Sequence, residues 1–109
     1  MTLSDLHKLL SAVPGFGPKR VAYRAFPEGE APELPYCTYI EQSYDVLYAD
    51  NVAFYATGTV DIELYTNSRE ENTEGLLEAA LREASLGWTK EIEYLDSEAC
   101  FMIVYTVSI

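Results

Sequence analysis

The sequence predicts a single α+β domain over residues 1–109, built on an antiparallel-rich β-sheet of about four or five strands with two helices on one face. Three observations predict it. The chain has 109 residues, a length that suits one domain. Two segments repeat their apolar residues at helical spacing, whereas the other segments alternate as strands do. The segments follow the order α-β-β-β-α-β-β, with an extended hairpin between the second and third strands.

The first predicted helix spans residues 2–13. Its apolar positions recur at helical spacing, at Leu3, Leu6, Leu10 and Val13. Thr2, with Asp5 three residues later, is typical of a capped helix start. Pro14 ends the helix, because proline has no amide N–H to continue it. The stretch "PGFGPKR" that begins there lacks the spacing of a phosphate-binding loop, so we interpret it as a structural turn.

Three strands are expected next. Residues 21–26 form a short one, and residues 27–35 form a loop because they contain three prolines and a glycine. Residues 36–46 are rich in aromatic and β-branched side chains, which favour a strand. Residues 57–66 alternate most cleanly. Their inward-facing positions are Val60, Ile62 and Leu64.

The second predicted helix spans residues 67–87. Ser68 and Glu71 have the spacing of a capping box, and Gly87 is placed to end the helix. The buried stripe is expected at Leu77, Ala80, Leu81 and Ala84. Two final strands, residues 88–96 and 99–109, are joined by a short turn. We expect one core that buries Val60, Ile62, Leu64, Leu77, Leu81, Phe101, Ile103 and Tyr105.

The segment between Tyr44 and Thr57 is too long for a hairpin turn, which needs two to five residues. It suits a strand pair that extends past the domain, with residues 49–51 at the tip. Such a pair has no core of its own, so its large apolar side chains need a cover from the protein's own helices or from another subunit. The alternative is that the tip folds back onto its own sheet. The predicted interface residues are Tyr44, Leu47, Tyr48, Asp50, Asn51, Phe54 and Tyr55.

Residues for catalysis are sparse, and we expect no catalytic, cofactor or metal site. His7 is the chain's one histidine, and we interpret it as a polar residue on a helix surface. Asp61 and Glu63 share one face of a strand, and paired acids can serve glycosidic or metal chemistry. The alternative function is therefore a small acidic ligand-binding domain or enzyme that uses Asp61, Glu63 and neighbouring tyrosines. A solvated strand face explains the same two acids.

The net charge of −11 is unevenly distributed. Residues 1–24 hold four basic residues and one acid, whereas residues 25–109 hold three basic residues and 17 acids. Binding a duplex needs clustered lysine and arginine, so specific nucleic-acid binding is not expected. No apolar run reaches the roughly 18 residues of a membrane helix, and no membrane partner is expected. Cys37 and Cys100 are interpreted as buried thiols in a reducing cytoplasm.

The order of these segments resembles a known family. The stretches "KRVAYRAFP", "PELPYCTYI", "YADNVAFYATGTVDIELYT", "SREENTEGLLEAAL" and "YLDSEACFMIVYTVSI" follow one another as in small tail terminator proteins. These are the tail completion proteins of long-tailed bacteriophages and prophages, with the related minor capsid and head–tail joining proteins. The tyrosine-rich segment around residue 48 departs from the pattern.

The resemblance implies a non-catalytic ring, usually sixfold, that caps the tail tube and docks to the head. It implies three partners: further copies of the chain, the tail tube protein and a head-completion or connector protein. It also implies assembly in the cytoplasm of a bacterial host and a final place in the virion tail. A host-encoded dimeric adaptor is a third possible class.

Overall fold

The computed structural model describes the backbone of residues 1–49 and 52–109, and the side chains of these residues except Leu47, Ala49 and residues 52–56. Its elements follow the predicted order. They are α1 (Leu3–Ser11), a 3-10 turn (Pro18–Arg20), β1 (Val21–Tyr23), β2 (Tyr36–Ala49), β3 (Val52–Thr66), α2 (Glu71–Glu83), β4 (Trp88–Leu95) and β5 (Cys100–Ser108).

The strands form one five-stranded sheet in the order β1-β2-β3-β5-β4. Every pairing is antiparallel except that of β1 with β2, so the sheet is mixed and rich in antiparallel pairs. The parallel pair is possible because residues 24–35 are long enough to return the chain to the starting end of the sheet. The predicted α+β class and element order are confirmed.

The core lies between the two helices and one face of the sheet, which we call the helix-side face. Register places Val60, Ile62 and Leu64 of β3 beside Val107, Tyr105 and Ile103 of β5, all buried. The helices contribute Leu6, Leu10, Leu77 and Leu81 to the same cluster. Of the eight side chains expected in the core, Phe101 alone is only partly buried. It lies at the start of β5, where its ring packs against Tyr94 with the ring centroids 4.9 Å apart.

The helix ends differ from the predicted ones. In α1 the capping box is confirmed, because the Thr2 hydroxyl accepts from the Asp5 amide and the Asp5 carboxylate accepts from the Thr2 amide. The box predicted at Ser68 is wrong, since α2 begins at Glu71 after an N-cap at Glu70 that makes no side-chain cap bond. β3 pairs with β5 as far as Thr66, so the next four residues are used to turn the chain.

Two chain reversals depend on residues with positive φ. β1 ends at Tyr23 rather than at residue 26, because Arg24 has a φ of 68° and turns the chain away from the sheet. The end of α2 is followed by Ser85 with a φ of 59°, so a serine takes the left-handed position that we expected at Gly87. Cys37 and Cys100 are free and buried, as predicted. Burial raises the pKa of the Cys37 thiol to about 12.

We expect Leu81→Ala to lower the free energy of unfolding by about 2–5 kcal/mol, because the side chain is fully buried between α2 and the sheet. Urea denaturation followed by circular dichroism measures it. Leu76→Ala, on a partly buried position of the same helix, is the control and should cost less. A loss below about 1 kcal/mol for Leu81→Ala would contradict the assignment of this side chain to the core.

Candidate functional site

The β2–β3 hairpin is much longer than the helices that cover the sheet. Its strands have 14 and 15 residues and pair from Tyr36 with Tyr65 to Ala49 with Val52, which confirms the extended hairpin. β2 therefore spans about 46 Å. The nine residues of α1 and 13 of α2 span about 14 Å and about 20 Å. The molecule measures 51 × 29 × 24 Å.

A β-bulge decides which β2 side chains continue the helix-side face. Before the bulge, Tyr39 pairs with Ile62 and lies on that face. The register shifts between Glu41 and Ser43, so one extra residue enters β2. Beyond it, Tyr44 pairs with Gly58 and the even-numbered residues take over the helix-side face. This change of phase explains why the first strand of the hairpin does not alternate cleanly in the sequence.

The helix-side face of β2 thus carries three large exposed side chains past the end of the core. Tyr44 is 53% exposed, Val46 is 40% exposed and Tyr48 is 64% exposed. We call these three residues the hairpin strip. No helix lies over them in the described part of the chain, so within that part the strip is an apolar surface without a cover.

Gly58 shapes the root of the hairpin strip. A Cβ atom at this position would lie 2.7 Å from Cε1 and 3.1 Å from Cδ1 of Tyr44, so the tyrosine ring lies directly against the glycine backbone. A groove of about 430 Å³ separates this ring from the start of α1, and Met1, Leu3 and Ile109 line it. Tyr44 therefore connects the core to the uncovered part of the sheet.

The structure describes some of the predicted interface residues in full, some only by their backbone and two not at all. Tyr44 and Tyr48 are exposed in the hairpin strip. Leu47 pairs with Tyr55 through the backbone, and Phe54 lies in β3, but the side chains of these three are outside the described residues. Asp50 and Asn51 are outside them altogether. Whether the seven residues form an interface stays a prediction. Val46 is not among them, although it lies two residues from both Tyr44 and Tyr48 in β2; the bulge reveals that their shared face is the helix-side face.

A second uncovered apolar pair lies at the opposite edge of the sheet, on β4. Ile92 is 46% exposed and Tyr94 is 48% exposed. Their partners on β5 are Ile103 and Phe101, so both side chains lie on the helix-side face. These two residues were not predicted to lie on the helix-side face. The alternation of Ile92 and Tyr94 with Glu91 and Glu93 carries that signal.

The two acids of the alternative function are each bonded to a neighbour. Asp61 accepts from the Thr106 hydroxyl at 2.7 Å, and Glu63 accepts from the Tyr65 hydroxyl at 2.7 Å. Burial, and then the bond to Glu63, raises the pKa of Tyr65. Over residues 1–49 and 52–109, no group of three or more His, Cys, Asp or Glu side chains could hold a metal ion.

His7 lies against the sheet rather than on an open helix surface. Its Nδ1 lies 2.9 Å from the Tyr39 hydroxyl, and the two rings meet edge to face. The predicted polar residue on the helix surface is thus half-buried, with its ring against Tyr39. This contact fixes α1 over the first half of β2.

An ion cluster around the buried carboxylate of Glu74 fixes α2, and the sequence patterns did not predict it. The carboxylate of Glu74 is 2% exposed and accepts from Arg69 at 3.0 Å and from Lys90 at 2.9 Å. Lys90 also lies 2.8 Å from Glu78, which accepts from the Tyr105 hydroxyl at 2.7 Å. Glu74 and Glu78 are four residues apart on one helix face, beside buried Leu77 and Leu81, and that spacing was the available signal.

The cluster favours the charged forms of its members. Burial by itself would raise the pKa of Glu74, but hydrogen bonds from Arg69 and Lys90 outweigh it and hold this pKa below its usual value. The pKa of Glu78 is likewise lowered, since Lys90 and Tyr105 outweigh the effect of burial. Burial would lower the pKa of Lys90, yet its bonds to the two carboxylates raise it.

Comparison with known proteins supports the fold. No protein-family model matches the chain, and no curated protein matches it. Among solved structures, the chain is similar to a chain of the virion of a native gene transfer agent (GTA) particle. The TM-score is 0.53 at 17% identity, and the match covers 84% of this chain and 77% of that chain. At this identity the likeness is one of fold.

Both helices are short. Within the described residues, neither helix is long and apolar enough to cross a membrane. The longer one, α2, has 13 residues, whereas a span needs about 20.

We expect Glu74→Gln to lower the free energy of unfolding by about 2 kcal/mol near neutral pH, because the amide cannot pair with two cations. A carboxylate whose pKa is lowered in the fold stabilises it above the ordinary value of 4.5, and this stability disappears as pH falls through the lowered pKa. The difference from wild type should therefore shrink well below pH 4.5. Urea titrations at both pH values measure it.

Glu83→Gln is the matched control, since this acid is exposed on the same helix. Its effect should stay within about 0.5 kcal/mol at either pH. A Glu74→Gln effect that does not change with pH would contradict a role for the ionised carboxylate.

Proposed function

We propose that the protein is a structural component of a phage-type virion, and that within it the chain completes the tail. In this role several copies form a ring on the end of the tail tube, stop its growth and provide the surface that joins the head. The observation that carries the proposal is the hairpin strip, because an exposed apolar surface beyond the core is the usual mark of an assembly site.

The chemistry of the hairpin strip suits an interface core. Tyrosine buries a large area with few rotatable bonds, and tyrosine is enriched where interface residues contribute most to binding. Tyr44 and Tyr48 project from paired strands rather than from a loop, so little conformational freedom is lost when they are covered. One such contact per subunit is repeated at every junction of a ring.

The likeness to a virion chain supports the same class of function. The gene transfer agent chain shares the fold over 84% of this chain and comes from a virion. The resemblance of the sequence to tail terminators points to the tail tube protein and a head-completion protein as partners. We infer these partners, and the number of subunits, from the resemblance.

The acidic face of the sheet fits a protein that surrounds DNA without binding it. Register places Asp61, Glu63, Glu91 and Glu93 on the face opposite the helices, which we call the outer face. Glu63 and Glu91 are on either side of Val104 in one row of the sheet. Carboxylates on the wall of a conduit repel phosphates, so a duplex could pass without being held.

Tail completion is tested in the phage or prophage that encodes the chain. Without the protein, electron microscopy should reveal full heads that carry no tails, together with tails of irregular excess length. Complementation with wild type should restore joined particles. The double variant Tyr44→Ser and Tyr48→Ser should fold but fail to restore them, because its hairpin strip has lost its apolar area.

The control for this experiment is Met102→Ser with Val104→Ser, which removes two apolar side chains from the outer face of β5. It should restore joined particles. Normal joined particles in the complete absence of the protein would exclude a tail-completion role. Unfolding of the Tyr44 and Tyr48 variant would instead assign these rings to the core.

We expect no binding of the protein to duplex DNA at moderate salt, because its acids outnumber its basic residues by 18 to 7. Fluorescence anisotropy of a labelled duplex measures this. The variant Glu63→Lys with Glu91→Lys reverses two charges on the outer face, and any binding it gains should weaken as salt is raised. Micromolar binding by wild type with a steep salt dependence would contradict a repelling conduit.

A further inference from the structure

The exposed apolar side chains of the strands are not scattered. The hairpin strip lies on β2, and Ile92 with Tyr94 lies on β4. Both groups are on the helix-side face, and they lie toward opposite edges of the sheet. Two apolar patches on one face, one near each edge of the sheet, could cover each other if neighbouring copies joined edge to edge.

Both strands also have a free edge. β4 is the last strand of the sheet, so one side of its backbone has no partner strand among residues 1–49 and 52–109. β2 pairs with β1 only from Cys37 to Tyr39. The positive φ of Arg24 then turns the chain away, and no described strand pairs with the rest of β2 on that side. Residues 40–49 of β2 are therefore a second open edge.

The directions of the two strands are compatible. From the pairings, β2 and β5 run one way, and β3 and β4 run the other way. If a second copy is placed beside the first in the same orientation, its β4 runs antiparallel to β2. Antiparallel pairing is slightly more stable per residue than parallel pairing. The helix-side faces of the two copies are then on the same side, so the hairpin strip meets Ile92 and Tyr94.

We propose that copies of this chain join edge to edge, with the free edge of β4 in one copy pairing antiparallel with residues 40–49 of β2 in the next, so that the hairpin strip is covered by Ile92 and Tyr94. The contact is heterologous, because a different edge of each copy is used. It deepens the proposed function by naming the two surfaces that form each ring junction, and it rests on that function for the identity of the partner as a second copy.

The positions of the strands set the stagger between neighbouring copies. Ile92 stands in the row of Leu64, through Ile103, and Tyr94 stands in the row of Thr66, through Phe101. Val46 and Tyr44 pair with Ala56 and Gly58, which lie eight rows closer to the hairpin tip than Leu64 and Thr66. A neighbour must therefore be displaced along the strands by about eight rows, or about 27 Å, to bring Ile92 beside Val46 and Tyr94 beside Tyr44.

Charges on the outer face oppose the junction. Asp45 lies on this face of β2, and Glu91 and Glu93 lie on this face of β4. Pairing brings these like charges toward one another, so the junction is driven by apolar burial against a repulsion. Added salt screens exposed charges, and association should therefore strengthen as salt is raised. A junction held by opposite charges would have the reverse dependence.

The proposal is tested with purified full-length protein and two double variants. The hairpin variant carries Tyr44→Ser and Tyr48→Ser, and the edge variant carries Ile92→Ser and Tyr94→Ser. Analytical ultracentrifugation up to millimolar concentration measures the mass of each, with circular dichroism to check folding. Wild type should self-associate, and each variant alone should associate at least tenfold more weakly. The outer-face control, Met102→Ser with Val104→Ser, should behave as wild type.

Mixing the two variants gives the decisive measurement. The hairpin variant keeps an intact β4, and the edge variant keeps an intact hairpin strip, so an equimolar mixture should form a heterodimer that grows no further. Association of the edge variant alone would mean that hairpins pair with each other, and association of the hairpin variant alone would mean that β4 pairs with itself. Either result overturns the proposal, as does a wild type that stays monomeric.

These outcomes are separate from those of the tail-completion experiment. If wild type stays monomeric but particles still need the protein for joining, the proposed function stands and edge pairing fails. If the mixture forms the heterodimer but particles join without the protein, edge pairing stands and the tail role fails.

Discussion

The mismatch between the length of the β2–β3 hairpin and the length of the two helices is the constraint on which the rest of the structure depends. Two helices of about 14 Å and about 20 Å can cover only part of strands that reach about 46 Å, and they cover the part away from the hairpin tip. Large apolar side chains of β2 nevertheless continue along the helix-side face past the part that the helices cover, because the bulge after Glu41 places Tyr44, Val46 and Tyr48 on that face. Exposed apolar side chains beyond the core add little to the stability of the single chain. This uncovered surface is the reason that we propose a larger core, completed by another subunit.

Two contacts decide which part of the sheet is sealed. His7 meets Tyr39 and fixes α1 near β1 and β2, while Glu74 and Glu78 meet Lys90 and Tyr105 and fix α2 over β4 and β5. A shift of α2 toward the hairpin would separate Glu74 from Lys90 and leave a carboxylate buried without its cation, which is costly. The ion cluster thus fixes the position of α2 on the sheet and also stabilises the fold. It keeps α2 away from the hairpin, so the hairpin strip stays available for a partner.

Local patterns in the sequence predict the elements, and non-local contacts decide the rest. The period-two alternation around Ile62 and the helical spacing around Leu81 predict the order and the core, because burial on one face imposes these periods. The capping box at Ser68 fails because residues 67–70 turn the chain after β3 and α2 begins only at Glu71. The direction of β1, the bulge and the partners of Glu74 depend on residues far apart in sequence. For the candidate site, the sequence predicts the aromatic hairpin, whereas Val46, Ile92 and Tyr94 need the register.

The unpaired backbone groups of an open sheet edge can pair with other chains and cause aggregation, and natural proteins prevent this with charged side chains. The same acids that oppose edge pairing, Asp45 on β2 and Glu91 with Glu93 on β4, provide that protection in the free chain. A junction that is weak for this reason forms readily only where copies are already held close together. In the proposed role, the end of a tail tube would hold them in this way, because binding of each copy to the tube would make the next junction effectively intramolecular. Weak edges and a repeating template together would then limit ring formation to the end of the tube, and the opposing charges would act as a control on assembly.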